Sequence, residues 1–107
     1  GEAFLGFIQD GSRDNGLYFL DEPEAALSPA RQLTLLYEMD QLAHHGSQLI
    51  VATHSPILLG LPGARIISFD DGELHEIGYE ETESYQVTEL FINNRERILH
   101  ELLEPRV

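Results

Sequence analysis

A chain of 107 residues, 42% of them hydrophobic, has material for one modest core and is too apolar to be intrinsically disordered. Its 19 Asp and Glu against 6 Lys and Arg, a formal net charge of -13, exclude a basic stripe. Non-specific binding of nucleic acid or an anionic membrane surface is not expected through this segment. There is no cysteine, so disulfides and thiolate metal sites are excluded too.

No apolar run approaches the length of a membrane span, and no basic stretch followed by an apolar one marks a signal peptide. Gly1 opens inside an apolar periodic segment, as expected of a piece of a longer chain. Residues 2–9 put Ala3, Phe4, Phe7 and Ile8 on one helical face. Residues 10–16 (DGSRDNG) are a turn-rich loop. Residues 17–20 (LYFL) are a short apolar run between turn signals, the pattern of a strand covered on both faces.

Ser28-Pro29 is a helix cap followed by proline at the first helical position. The helix it opens is expected to reach about His45, with an apolar stripe of Leu33, Leu36, Tyr37 and Leu42, and to stop at Gly46. Residues 48–53 (QLIVAT) form a second strand, and Ser55-Pro56 repeats the cap pattern. Two strands joined by one helix predict a parallel βαβ unit. Residues 65–69 and 73–77 flank Asp70-Asp71-Gly72, a hairpin signal. From about Tyr85 the chain turns helical, with Val87, Leu90, Phe91, Ile98, Leu99 and Leu102 on one face and a break at Asn93-Asn94. The expected class is α/β, with helices packed on a sheet.

Two constellations carry chemistry. The apolar run ends in Asp21 and Glu22, and the carboxyl end of a strand in an open α/β sheet is where ligands bind. In nucleotide hydrolases one acid so placed helps hold Mg²⁺ beside the phosphates, a role that suits Asp21. Its neighbour can orient or deprotonate the attacking water, which suits Glu22. A merely solvated acidic strand end is the competing interpretation. In residues 52–56 (ATHSP), His54 follows the second strand, on the same edge if the strands are parallel. Its imidazole can hydrogen-bond a γ-phosphate oxygen or the attacking water. The competing interpretation is a capping turn with an exposed histidine.

Taken together, residues 17–29 (LYFLDEPEAALSP) and residues 49–56 (LIVATHSP) resemble the Walker B strand, catalytic glutamate, D-loop and switch histidine of ABC-type ATPases. The resemblance covers the chain to about residue 70 and weakens beyond. The acidic stretch 79–84 and the helical end are similar to small predicted ATPases of that group.

The resemblance implies a partial P-loop NTPase fold of ABC type: parallel strands with packed helices, then a C-terminal hairpin and helices. Residues 1–107 would be a single partial domain, the C-terminal part of a cassette. Asp21 would be the Walker B acid on the metal side, Glu22 the catalytic carboxylate and His54 the switch histidine. Ala25, Ala26, Leu27 and Ser28 would form the D-loop that crosses a dimer interface. Gly1 and Glu2 would belong to a truncated signature of the S-x-G-E kind, touching the partner's nucleotide. The implied cofactors are ATP and Mg²⁺, the implied partner a second cassette subunit in a homodimer, and the implied location the cytoplasm. No membrane partner is evident.

The sequence departs from the family in having no G-x-x-x-x-G-K-[ST], and hence no loop to cradle phosphates. The family's Q-loop is missing as well. Both would precede Gly1, so the chain alone is expected neither to grip ATP tightly nor to hydrolyse it. Lacking the Walker A strand, it should expose an unpaired edge and self-associate, or belong to a larger ordered protein.

Transporter cassettes more often have Thr or Asn after the proline, Asp where Ser28 stands, and Asp or Arg after the histidine. Glu24 and Ser55 lean instead toward soluble recombination, chromosome-maintenance and phage-defence ATPases. Two alternatives of other classes stay open: a non-catalytic scaffold built on a degenerate cassette, and a metal-dependent hydrolase using Asp21, Glu22 and His54 directly.

The remaining candidates have plain explanations. His44 and His45 suit a helix C-terminus. His75 and His100 are expected at the surface. Glu80, Glu81 and Glu83 form a solvated run. The stripe from Val87 to Leu102 is expected to pack in a core. Arg95 and Arg97 face solvent and make a poor nucleic-acid patch.

Overall fold

The computed structural model describes residues 15–69 and 72–104. The helix expected over residues 2–9, the mapping of Gly1 and Glu2, and Asp70-Asp71 lie outside them. The chain divides into two compact units, Gly1–Ala64 and Arg65–Val107.

In the first unit, β1 (Leu17–Asp21) leads through a 3-10 turn (Pro23–Ala26) into α1 (Pro29–His44) and then β2 (Gln48–Ala52). The strands pair in parallel, Leu17 opposite Gln48 through Asp21 opposite Ala52, as the βαβ pattern predicts. Helix α1 starts where its cap chemistry puts it: Ser28 is extended, and its Oγ accepts from the Arg31 amide at 3.2 Å. It ends in a Schellman motif. Gly46 at φ +94 lets its own amide reach the Ala43 carbonyl and the Ser47 amide reach that of Leu42. Ser47 then ties the helix exit to the start of β1, its Oγ accepting from the Gly16 amide at 3.0 Å.

The core lies between the sheet and α1. Tyr18, Leu20, Leu27, Leu35, Met39, Leu42 and Leu58 are buried, with Leu36, Leu49, Val51 and Leu61 packed against them. Two expectations are corrected. The buried stripe of α1 runs through Leu35, Met39 and Leu42, whereas Leu33 and Tyr37 are 57% and 61% exposed. The helix carries apolar residues on two faces, and the sheet covers only one. Among the described residues, moreover, the strands are covered on one side. Leu17, Phe19 and Ile50 alternate onto the opposite face and are 56%, 69% and 49% exposed.

In the second unit, β3 (Ile66–Ser68) and β4 (His75–Ile77) form the expected antiparallel hairpin. Its ladder is shorter than the sequence pattern, closing at Ser68 and His75. Thr82 caps α2 (Glu83–Asn93), its Oγ1 accepting from the Tyr85 amide at 3.1 Å. Asn94, at φ -137, breaks the stretch before α3 (Arg95–Leu103), where the asparagine pair predicted a break. The apolar stripe of these helices does not enter a core, contrary to expectation. Val87, Leu90, Phe91 and Leu102 are exposed, and no described apolar residue of this unit is buried. A unit this small offers little to enclose a stripe.

Candidate functional site

Parallel pairing decides which residues share an edge. Asp21 ends β1 opposite Ala52, and the chain leaves β2 directly into Thr53 and His54. The Glu22 amide donates to the Ala52 carbonyl at 2.7 Å, extending the ladder by one residue. Asp21, Glu22 and His54 therefore stand at one carboxyl edge, and all three are exposed.

Glu22 has left-handed backbone geometry, φ 46 and ψ 54. A non-glycine residue pays for that conformation through its Cβ, at roughly 1–2 kcal/mol, and such outliers cluster at functional sites. Pro23 comes next, at the head of the 3-10 turn, its ring buried. The kink breaks the strand's alternation, so Asp21 and Glu22 are not simply opposite faces of one ribbon.

The turn that carries His54 is clamped on both sides. The Glu24 carboxylate accepts from the Thr53 hydroxyl at 2.6 Å and from the His54 backbone amide at 2.9 Å. Ser55 donates its hydroxyl to Gln32 Oε1 at 2.5 Å, and Gln32 Nε2 donates to the Leu27 carbonyl at 3.2 Å. Ser55 Oγ also accepts from the amides of Ile57 and Leu58, at 3.1 and 3.0 Å, which is the predicted cap. Thr53 Oγ1 accepts from the Ser55 amide at 3.0 Å. Partial burial would raise the pKa of Glu24, but the bonds from Thr53 and the His54 amide, aided by the nearby imidazole, hold it below the ordinary glutamate value.

Ser28 is engaged as the helix cap, and Ala26 is exposed in the turn before it. The exposed Asp21 carboxylate fits what Mg²⁺ asks when phosphate oxygens share its shell, one or two carboxylates with water. Among the described residues no three His, Asp or Glu side chains are grouped to hold an ion by themselves. The described residues therefore supply no ligand set for a metal-dependent hydrolase of that kind. His44 and His45 are explained by the helix end: their Nδ1 atoms hydrogen-bond the carbonyls of Asp40 and Gln41 at 2.8 and 2.7 Å. His75 and His100 are exposed, as expected.

Against this geometry, the family model described as "AAA domain, putative AbiEii toxin, Type IV TA system" matches residues 3–60, more than half of the chain. The chain belongs to this AAA-domain family. The AAA-domain match runs across β1, the 3-10 turn, α1 and β2, and so takes in Asp21, Glu22, Glu24 and His54. It makes this a nucleotide-binding, P-loop NTPase-type domain. No curated protein and no solved structure shows a significant match. No described helix is long and apolar enough to cross a membrane.

The sequence pattern pointed to Asp21, Glu22 and His54, but it did not reveal the Glu24 clamp. Its only signal is an acid in a proline-anchored turn and a threonine at the end of the next parallel strand. Nothing in composition or periodicity joins the two.

Proposed function

We propose that this AAA-domain chain supplies the hydrolytic side of an ATP site of ABC type. The observation that carries this is the shared carboxyl edge, where a left-handed Glu22 stands beside Asp21 and across from the turn of His54. Asp21 would hold Mg²⁺ through water, and the bound ion would supply charge neutralisation to the phosphates. Glu22 accepts a proton from water as the water oxygen attacks the γ-phosphorus. The bond to the bridging oxygen breaks, and ADP and phosphate leave. His54 donates a hydrogen bond to a γ-phosphate oxygen and steadies the charge that builds there.

The phosphate cradle would come from residues outside these 107, since no G-x-x-x-x-G-K-[ST] occurs among them. Residues 1–107 are then one part of a cassette, and the isolated chain is inactive. In a head-to-tail homodimer, Ala25, Ala26, Leu27 and Ser28 would line the interface, with Gly1 and Glu2 reaching the partner's nucleotide. Glu24 and Ser55 incline the proposal toward soluble ATPases of the cytoplasm rather than transporter subunits.

The test is Glu22→Gln in the complete protein. It should abolish steady-state turnover while retaining bound ATP, and so accumulate a dimer seen by light scattering. Unchanged turnover would remove Glu22 from the role of base. Absence of ATP binding by the wild-type complete protein would favour the scaffold alternative.

A further inference from the structure

We propose that Glu24 is a positioning residue for His54, its carboxylate fixing the turn that carries the imidazole. The inference rests on the role given to His54 above and deepens it. Glu24 lies in the 3-10 turn after β1, yet both of its long-range partners, Thr53 and His54, lie at the exit of β2. It reaches them at 2.6 and 2.9 Å across 29 and 30 residues of sequence. The two donors are consecutive in sequence and converge on the two oxygens of one carboxylate. An ionised carboxylate accepts at both oxygens, and bonds to it are roughly twice as strong as neutral ones.

The helix side of the same turn is closed by Gln32 and Ser55. His54 therefore has both neighbours fixed while remaining exposed itself. That is the arrangement needed to hold one side chain at a set distance from a ligand atom. Glu24's own 3-10 turn opens on the left-handed Glu22, so Glu24 links the turn of the proposed base to the turn of the proposed phosphate contact. Glu24 makes no ion pair with Lys or Arg among the described residues. With its pKa below the ordinary glutamate value, the carboxylate is ionised at neutral pH, as an ordinary glutamate also is.

Gln at position 24 offers only one acceptor oxygen, so one of the two converging donors is left facing an NH₂ group. The experiment measures steady-state ATP hydrolysis by the complete protein in a double-mutant cycle of Glu24→Gln and His54→Ala. Glu24→Gln should lower kcat by roughly 10- to 100-fold, the scale set by small misplacement of a positioned group. KM for ATP should change little. On the His54→Ala background Glu24→Gln should have no further effect, because Glu24 acts through His54.

Two variants at the other end of the bond provide an independent readout. Thr53→Val removes one donor and should lower kcat, whereas Thr53→Ser keeps the hydroxyl and should restore it. Equal losses from Glu24→Gln with and without His54 would overturn the proposal, since a merely structural glutamate behaves that way. An unaffected Glu24→Gln beside a slow His54→Ala would overturn it while leaving the role of His54 standing. Full turnover in His54→Ala would overturn both. If Glu24→Gln fails to fold, the Thr53 pair decides: equal rates for Val and Ser would overturn the proposal.

Discussion

At the scale of single residues, Glu22 is the one described residue whose side chain its own backbone conformation opposes. Asn15 is the other non-glycine at positive φ, but asparagine tolerates that region. Glutamate before proline has no such licence. The fold accepts the strain because the Glu22 amide completes the ladder to Ala52 at 2.7 Å and the buried Pro23 ring anchors the 3-10 turn. Glu22→Gly should therefore raise stability, by up to about 1 kcal/mol after the added freedom of the unfolded chain is set against the strain relieved. The same change should abolish turnover. Thermal unfolding of wild type and variant measures the first part, and a lower melting temperature for the glycine variant would show that the side chain holds the fold.

At the scale of elements, α1 shows what periodicity can and cannot resolve. Leu33, Leu36 and Tyr37 obey helical spacing as well as Leu35, Met39 and Leu42 do. The start at Ser28 and the stop at Gly46 were legible because each is local chemistry, a hydroxyl accepting from the Arg31 amide and a residue free to take φ +94. The buried face was not legible, because it depends on where a strand pair distant in sequence lies. Leu35 is fully buried beneath that pair. Leu35→Ala should cost about 2–5 kcal/mol in chemical denaturation, while Leu33→Ala at its exposed site should stay within about 0.5 kcal/mol. Equal costs would mean that both faces are packed. The second unit repeats the lesson: Asn94 broke the helix as expected, but the apolar stripe beside it found no core.

At the scale of the whole molecule, the described residues of the first unit pack on one side of its strand pair and leave the other side exposed. Parallel sheets are ordinarily covered on both faces, and here Leu17, Phe19 and Ile50 stand open. Each such side chain gains roughly 1.5–3 kcal/mol on full burial, so the 107-residue chain by itself should associate through this face and its unpaired strand edges. On gel filtration it should elute ahead of a 12.1 kDa monomer, and Phe19→Glu should move it back. A wild-type monomer at every concentration would refute this.

Sequence alone determined the features that are local or periodic. It located both strands, the capped helix between them and the hairpin signal. It also placed the acid pair after one strand and the histidine after the next. These arise from backbone propensities and caps acting within a few residues. The strand-helix-strand order also predicted parallel pairing, but only the tertiary structure fixed the register, Asp21 opposite Ala52, which brings Asp21, Glu22 and His54 to one edge. It alone decided which face of α1 is buried, and that Glu24 holds the histidine's turn. Each of those depends on contacts between groups well separated along the chain, and such contacts leave no period in the sequence from which they could be read.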